Sequence, residues 1–356
     1  MKILSTMKTL VILGVLYAAV NGVSEHENQV RALQLLILFT VIWITEYQLL
    51  TKNEVPKTSD FQLDLGELRK LVHNEEDRLP LRLNSIVVAE GEIPDWIVVA
   101  GGDHQCFPIS FTSFQVVYDD KTVIIECPFD KALYDKFCRY RFLGIKGRGF
   151  NEENYEIMQR AMLEAGCIVA THEHWDHVGG IAQSPNVCEL MKKTVLTKEQ
   201  VHGHTIKDAG FPEGTLDDYT PLDYDKLHVL SPGIVLIKAP GHSVGSQMIY
   251  VRLREGEEFL FIGDICWNMV NLERLSNHSR MGMLLRHEDG EQLGHQIRWL
   301  YENIYDNPEE EIRLISSHDP GQIKEYTGNG VIGAKFELES LESNENYSNF
   351  ALLRFS

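Results

Sequence analysis

Two apolar stretches at the N-terminus lack the alternation of polar and apolar positions found in the rest of the chain. The first, Leu10 to Val23, follows Lys2 and Lys8 and contains Ala18 and Ala19, a pattern common to signal-peptide cores and short spanning helices. The second, Ala32 to Leu50, approaches the ~20 residues needed to cross about 30 Å of hydrocarbon. Its polar members, Gln34, Glu46 and Gln48, sit near its ends, and Trp43 and Tyr47 suit an interfacial belt. A core helix would show a polar face, and these stretches show none. The pattern therefore predicts a membrane anchor over residues 1–50, built from one or two helices. Lys2, Lys8, Lys52 and Lys57 flank the pair, and the positive-inside bias then places the large domain in the cytoplasm, tethered to a plasma or inner membrane. A single span would instead put it outside.

Residues 51–96 read as a polar connector with an amphipathic helix near Leu65–Val72 and a strand-like run at Leu83–Ala89. After Trp96 strands and helices alternate, so residues 97–356 form the main α/β domain. Phe111–Tyr118 and Thr122–Glu126 read as strands about the turn at Asp119-Asp120-Lys121. Asn151 with Glu152 and Glu153 starts a helix that Gly166 ends. Cys167–Ala170, Ile234–Lys238, Glu258–Ile262 and Ile312–Ser316 are short β-rich runs, each followed within a few residues by His or Asp. Open α/β folds build their sites from such strand-end loops.

Charge narrows the choice of partner. The chain carries −19, and the first 58 residues hold five basic and four acidic residues, so the remainder carries −20. Such a body repels phosphate backbones and argues against nucleic-acid substrates unless a local basic patch exists, and against contact of the soluble domain with anionic membranes. The six scattered cysteines form no C-x-x-C pair and read as free thiols.

The chemistry concentrates after Cys167–Ala170, in Thr171-His172-Glu173-His174-Trp175-Asp176-His177-Val178-Gly179-Gly180. Alternate positions of an extended segment point the same way, so His172 and His174 can grip one metal ion together. Asp176 and His177 follow from the turn toward a neighbouring position, and Gly179 and Gly180 allow tight entry into the next helix. His202 and His204 share the H-x-H spacing without an Asp-His after it, and read as surface residues. Further donors stand at His242 after a Pro-Gly turn, at Asp264 after Gly263, and at His318. A buried carboxylate at Asp264 would be costly unless it bridged two cations. Imidazole and carboxylate donors without thiolate suit Zn(II), with Fe, Mn, Co or Ni as alternatives.

The order H-x-H-x-D-H, then His, Asp and His resembles the metallo-β-lactamase superfamily over residues ~97–325. The resemblance implies a four-layer αββα sandwich, here behind one or two transmembrane helices. It implies that His172, His174 and His242 hold one metal, that Asp176, His177 and His318 hold a second, and that Asp264 bridges them. Flavodiiron oxidoreductases carry Glu where His174 stands, and zinc β-lactamases generally lack the bridging Asp. Glyoxalase II-type thioesterases and acyl-homoserine lactonase-like enzymes keep it, and the 22-residue step from His242 to Asp264 resembles the lactonase branch. Lactonases usually place a Tyr against the substrate three residues after that Asp. Here the position is Trp267, which can donate but lacks a phenol's acidity. Residues Ile265–Glu311, with a helix near Glu291–Ile304, form part of the pocket wall. Met281, Met283, Leu284 and Leu285 in it serve either the core or an apolar acyl pocket.

The expectation is a membrane-tethered binuclear hydrolase of a small ester, lactone or thioester. Two ions would lower the pKa of a shared water toward about 7, and the hydroxide would attack the carbonyl while Asp176 moves the proton. A thioesterase, a mononuclear iron sulfur dioxygenase and a non-catalytic tethered binding module are the alternatives.

Overall fold

Ile234–Lys238 is almost wholly apolar, as a strand must be when both faces of its sheet are covered. The computed structural model describes residues 25–51, 53–73, 76–102 and 105–338, and in it Val235 and Ile237 face one hydrophobic layer while Ile234 and Leu236 face another. The chain begins with α1 (Glu25–Glu46) and α2 (Leu65–His73), then β1 (Arg82–Pro94), β2 (Cys106–Val117), β3 (Thr122–Ile125), α3 (Lys131–Phe137), β4 (Lys146–Phe150) and α4 (Glu152–Glu164). It continues through β5 (Cys167–Val169), α5 (Trp175–Ala182), β6 (Thr194–Val195), β7 (Leu227–Ser231), β8 (Ile234–Lys238), β9 (Gln247–Arg252) and β10 (Glu258–Gly263). Toward the C-terminus follow α6 (Arg280–Arg286), α7 (Gly290–Leu300), β11 (Arg313–Ser316) and α8 (Pro320–Gly328).

One sheet has the order β4-β1-β2-β3-β5-β6, the other β11-β10-β9-β8-β7. Leu83, Phe114, Val123 and Val169 of the first meet Leu236, Ile249, Phe259 and Phe261 of the second in the central layer. Outside the first sheet, Met158, Met162, Val178 and Ile181 from α4 and α5 cover Ile86, Val88 and Ile168. Outside the second, Leu68 and Val72 of α2 and Leu293, Ile297 and Leu300 of α7 cover Val235, Met248 and Leu260. Two sheets back to back under helices on both sides make the αββα sandwich.

The expected strands and helices occupy the places read from the pattern, with ends shifted by a few residues. The segment read as a connector differs: β1 pairs with β2 from Arg82 to Pro94 and belongs to the six-stranded sheet. A strand buried on both sides of a bulge between Val87 and Ala89 loses the simple alternation that would mark it. The helix expected near Glu291 starts at Gly290, where the Asp289 carboxylate accepts from the Glu291 and Gln292 amides. The stretch Leu10–Val23 lies outside the described residues. The second stretch is helical, α1 running on as a π-helical turn to Thr51. Its window Leu33–Leu50 has mean hydropathy 1.6 and is 11 % buried, long and apolar enough to cross a membrane.

Strand direction decides where the loops meet. β3 and β5 are parallel, and β10 and β11 are parallel, while β8 is antiparallel to β9 and β9 to β10, so β8 runs with β10. The C-terminal ends of strands in both sheets thereby open on one edge. The Gln247 amide donates to the Thr171 carbonyl at 2.9 Å and links the two sheets there.

Candidate metal centre

At that edge the structure brings together seven side chains. His172 and His174 follow β5, Asp176 and His177 lie in the first turn of α5, His242 follows β8, Asp264 follows β10 and His318 follows β11. Gly263 holds the turn at φ +54, and a Cβ there would meet Thr171 at 3.0 Å, so both its conformation and its size direct Asp264 inward. Gly180 has another role than the turn expected of it. It lies inside α5, and a Cβ would meet the Pro128 carbonyl oxygen at 2.4 Å, so it lets α5 seat against the strand end at Cys127.

The donor atoms form two sets, each with its atoms within 4.8 Å of one another: His172, His174, His242 and Asp264, and Asp176, His177 and His318. In the first set, His174 Nδ1 stands 3.0 Å from His172 Nε2 and 3.0 Å from His242 Nε2. Asp264 lies between the sets. Its Oδ2 is 3.2 Å from His242 Nε2 and its Oδ1 is 3.4 Å from His177 Nε2 and 3.3 Å from His318 Nε2. Asp176 Oδ2 is 3.5 Å from His318 Nε2.

The surroundings show what these groups are prepared to bind. His242 Nδ1 donates to Glu288 at 2.7 Å, His177 Nδ1 to Glu126 at 2.8 Å and His318 Nδ1 to the Ser110 carbonyl at 3.0 Å. A carboxylate or a carbonyl only accepts, so each of these rings carries a hydrogen on Nδ1, and Nε2 is the atom it turns toward the centre and offers to an ion. His177 Nε2, His318 Nε2 and Asp264 Oδ1 are buried there without a hydrogen-bond partner. Three buried polar atoms left unpartnered are costly in a protein core, and two imidazole nitrogens beside a carboxylate oxygen are a natural donor set for a cation. The residues fit a divalent ion in each set.

The electrostatics differ between the two sets. Burial, then the neighbouring imidazoles, hold His172 and His174 well below the usual histidine value, so both stay neutral. Burial opposes charge on Asp264, but His318, His242, His177 and His172 hold it well below the usual carboxylate range. At His177 and His318 burial also opposes charge, yet the acidic neighbours, Glu126 first for His177 and Asp264 first for His318, raise both.

Several residues here carry no sequence signature. Glu126, at φ +63, holds His177 with Oε2 and accepts from the Thr171 amide with Oε1 at 3.1 Å. Glu173 lies between two of the donors and accepts from Ser243 Oγ at 2.7 Å and Thr205 Oγ1 at 3.1 Å, tying the β5 loop to the turn that carries His242. Glu288 receives His242 on Oε1 and His278 Nδ1 on Oε2, the latter at 3.0 Å, and Arg286 donates to both oxygens. Burial would raise the Glu288 carboxyl, but Arg286 and the imidazoles of His278 and His242 hold it well below the usual range. The Trp267 ring stands 5.0 Å from that of His318 and 6.3 Å from that of His242, with its buried Nε1–H unpaired and Arg286 over its face. His202 and His204 are exposed and apart from the centre. Met283 is buried, whereas Leu284 and Leu285 are exposed, so those two lie outside the core.

No family model and no curated protein sequence matches the chain. Solved structures do. An N-acyl homoserine lactone hydrolase with N-hexanoyl-L-homoserine at its catalytic metal centre aligns at TM-score 0.54 and 15 % identity, over 69 % of this chain and 96 % of that one. A B. thuringiensis AiiA mutant with N-decanoyl-L-homoserine at its active site aligns at 0.54 and 17 %, over 69 % and 96 %. A probable metal-dependent hydrolase from Staphylococcus aureus aligns at 0.51 and 14 %, over 68 % and 90 %. The likeness is one of fold: this chain has the αββα sandwich that these lactone and metal-dependent hydrolases share.

Proposed function

We propose that the chain is a membrane-tethered, binuclear metal-dependent hydrolase that opens a lactone or a related carboxylic ester. The observation that carries the reading is Asp264, a buried carboxylate with one oxygen toward each of two converging donor sets. The fold it shares with lactone hydrolases, one of them bearing its product at a metal centre, supports the choice of substrate class. His172, His174 and His242 would hold the first ion, Asp176, His177 and His318 the second, with Asp264 between them; zinc suits this donor set.

When bound, two such ions supply Lewis acidity toward a carbonyl and lower the pKa of water toward about 7. The remaining work belongs to side chains. Asp176 is the most exposed acid of the centre, at 11 % against 1 % for Asp264. It takes the proton from the attacking water and returns it to the leaving oxygen as the acyl C–O bond breaks. Trp267 Nε1–H, otherwise unpaired, donates to the carbonyl oxygen as charge gathers on it. The apolar helix α1 holds the domain at a bilayer.

The test is turnover by zinc-loaded protein against acyl lactones, esters, thioesters and phosphodiesters. The proposal expects the lactones and esters to be opened fastest. Thioesters alone, or oxygen consumption with one iron per chain, would contradict it.

A further inference from the structure

The anchor helix joins the domain at one particular face. Leu50, just beyond α1, is buried in the cluster of Trp96, Ile97, Val98 and Val99, and the Gly101 amide donates to its carbonyl at 3.0 Å. Helix α6 lies beside it, with Arg280 Nη1 donating to Gln48 Oε1 at 3.4 Å and Arg286 Nη2 to the Ile97 carbonyl at 3.1 Å. At this junction α6 presents Leu284 at 66 % and Leu285 at 55 % exposure, while Met283 beside them is buried. The same cluster takes in Phe137, Cys138 and Ile145 and so the turn Cys138–Leu143, and Pro94, just before Trp96, closes over Gly144 at the end of that turn.

That turn carries charge of the opposite sign to the rest of the chain. Residues 131–148 hold six basic residues and one acidic in a protein of net charge −19. Asp135 pairs with Lys131, and Glu92 with Lys146 and Arg148. Among the described residues no carboxylate pairs with Lys136, Arg139, Arg141 or Arg280, all exposed, and Tyr140 between the two arginines is 41 % exposed. Free cations, an amphipathic aromatic ring and paired exposed leucines at the foot of an apolar helix suit an anionic lipid surface. A nucleic acid would leave the leucines unpartnered. The −20 body argued against any such contact; the charge is segregated, and this face is its exception.

The cluster behind the face extends to the metal centre. Phe111 and Trp267 both belong to it or touch it, and their rings stand 5.2 and 5.0 Å from that of His318. We propose that the face formed by Leu284, Leu285, Arg139, Tyr140 and Arg141 lies on the anionic surface of the bilayer that α1 enters, and that the substrate is a long-chain acyl lactone or ester taken from that bilayer. The acyl chain would approach the carbonyl-binding groups from the side of this cluster, whose Phe111 and Trp267 rings stand next to His318. The inference rests on the anchor and hydrolase readings above.

The experiment places the full chain in lipid nanodiscs with and without phosphatidylserine and follows backbone hydrogen exchange. Peptides covering 138–143 and 280–286 should exchange severalfold more slowly in the anionic discs. Arg139→Glu with Arg141→Glu, and Leu284→Asn with Leu285→Asn, should remove that protection and lower turnover of a disc-borne long-chain lactone roughly tenfold. A short water-soluble lactone should be opened at the unchanged rate, which also shows that the variants fold. Equal exchange in both lipids, or equal loss on both substrates, overturns the proposal. Protection without turnover of either substrate overturns the hydrolase reading and keeps the surface assignment. Release of the chain by alkaline carbonate overturns the anchor, and this proposal with it.

Discussion

Glu288→Gln isolates a group that touches the first donor set without belonging to it. Glu288 accepts four hydrogen bonds: His242 Nδ1 and Arg286 Nε on Oε1, at 2.7 and 2.6 Å, and His278 Nδ1 and Arg286 Nη2 on Oε2, at 3.0 and 3.2 Å. A glutamine keeps the shape but makes one end a donor, so whichever way the amide lies, N–H meets N–H at two of the four contacts. The other escape is for His242 to move its hydrogen to Nε2, the tautomer that cannot bind an ion. Arg286, 17 % exposed, loses its counter-charge as well. Breaking such a buried pair costs about 3–5 kcal/mol of stability. Loss of a carboxylate that orients a metal-binding histidine lowers metal affinity about 10–100-fold, or roughly 1.4–2.7 kcal/mol. Competition of wild-type and E288Q protein against a chromophoric zinc chelator, with thermal melts of both, reads the two effects separately. Zinc affinity within about twofold of wild type, at an unchanged melting temperature, would refute the reasoning.

Gly180→Ala drives a methyl against the Pro128 carbonyl and should destabilise the domain by about 1–3 kcal/mol, read as a lower denaturant midpoint; a wild-type midpoint would show that α5 has room to move. Trp267→Phe removes the unpaired Nε1–H and should cut kcat about 10²-fold at unchanged metal content, so a wild-type kcat would remove Trp267 from the reaction. His177 and His318 have raised values in the metal-free protein, so they hold protons near neutral pH that an incoming ion must displace. Zinc uptake in weakly buffered solution should therefore release protons, and affinity should fall as pH falls; pH-independent uptake would contradict that sign.

The seven donors were legible because H-x-H-x-D-H concentrates them at a strand end, and because His242, Asp264 and His318 each follow a short apolar run. The groups that orient them were not. Glu126 and Glu288 are single acids in unremarkable surroundings, and only the folded chain brings them to the rings they hold, while Glu173, inside the motif, reaches the Ser243 and Thr205 hydroxyls that no local pattern pairs with it. β1 was extended past its apparent end for the same kind of reason, since pairing with β2 runs through a bulge that the pattern hides. Net charge hides one local feature. A sum over the chain cannot show that residues 131–148 hold six basic residues and one acidic.

The central claim is that two ions sit on either side of Asp264. Metal analysis of the purified full chain, beside Asp264→Ala prepared in the same way, tests it most directly. The account predicts two equivalents of divalent metal in the wild type, and no more than one in the variant with lactone opening abolished. One equivalent in both proteins, or turnover that survives the substitution, would contradict it.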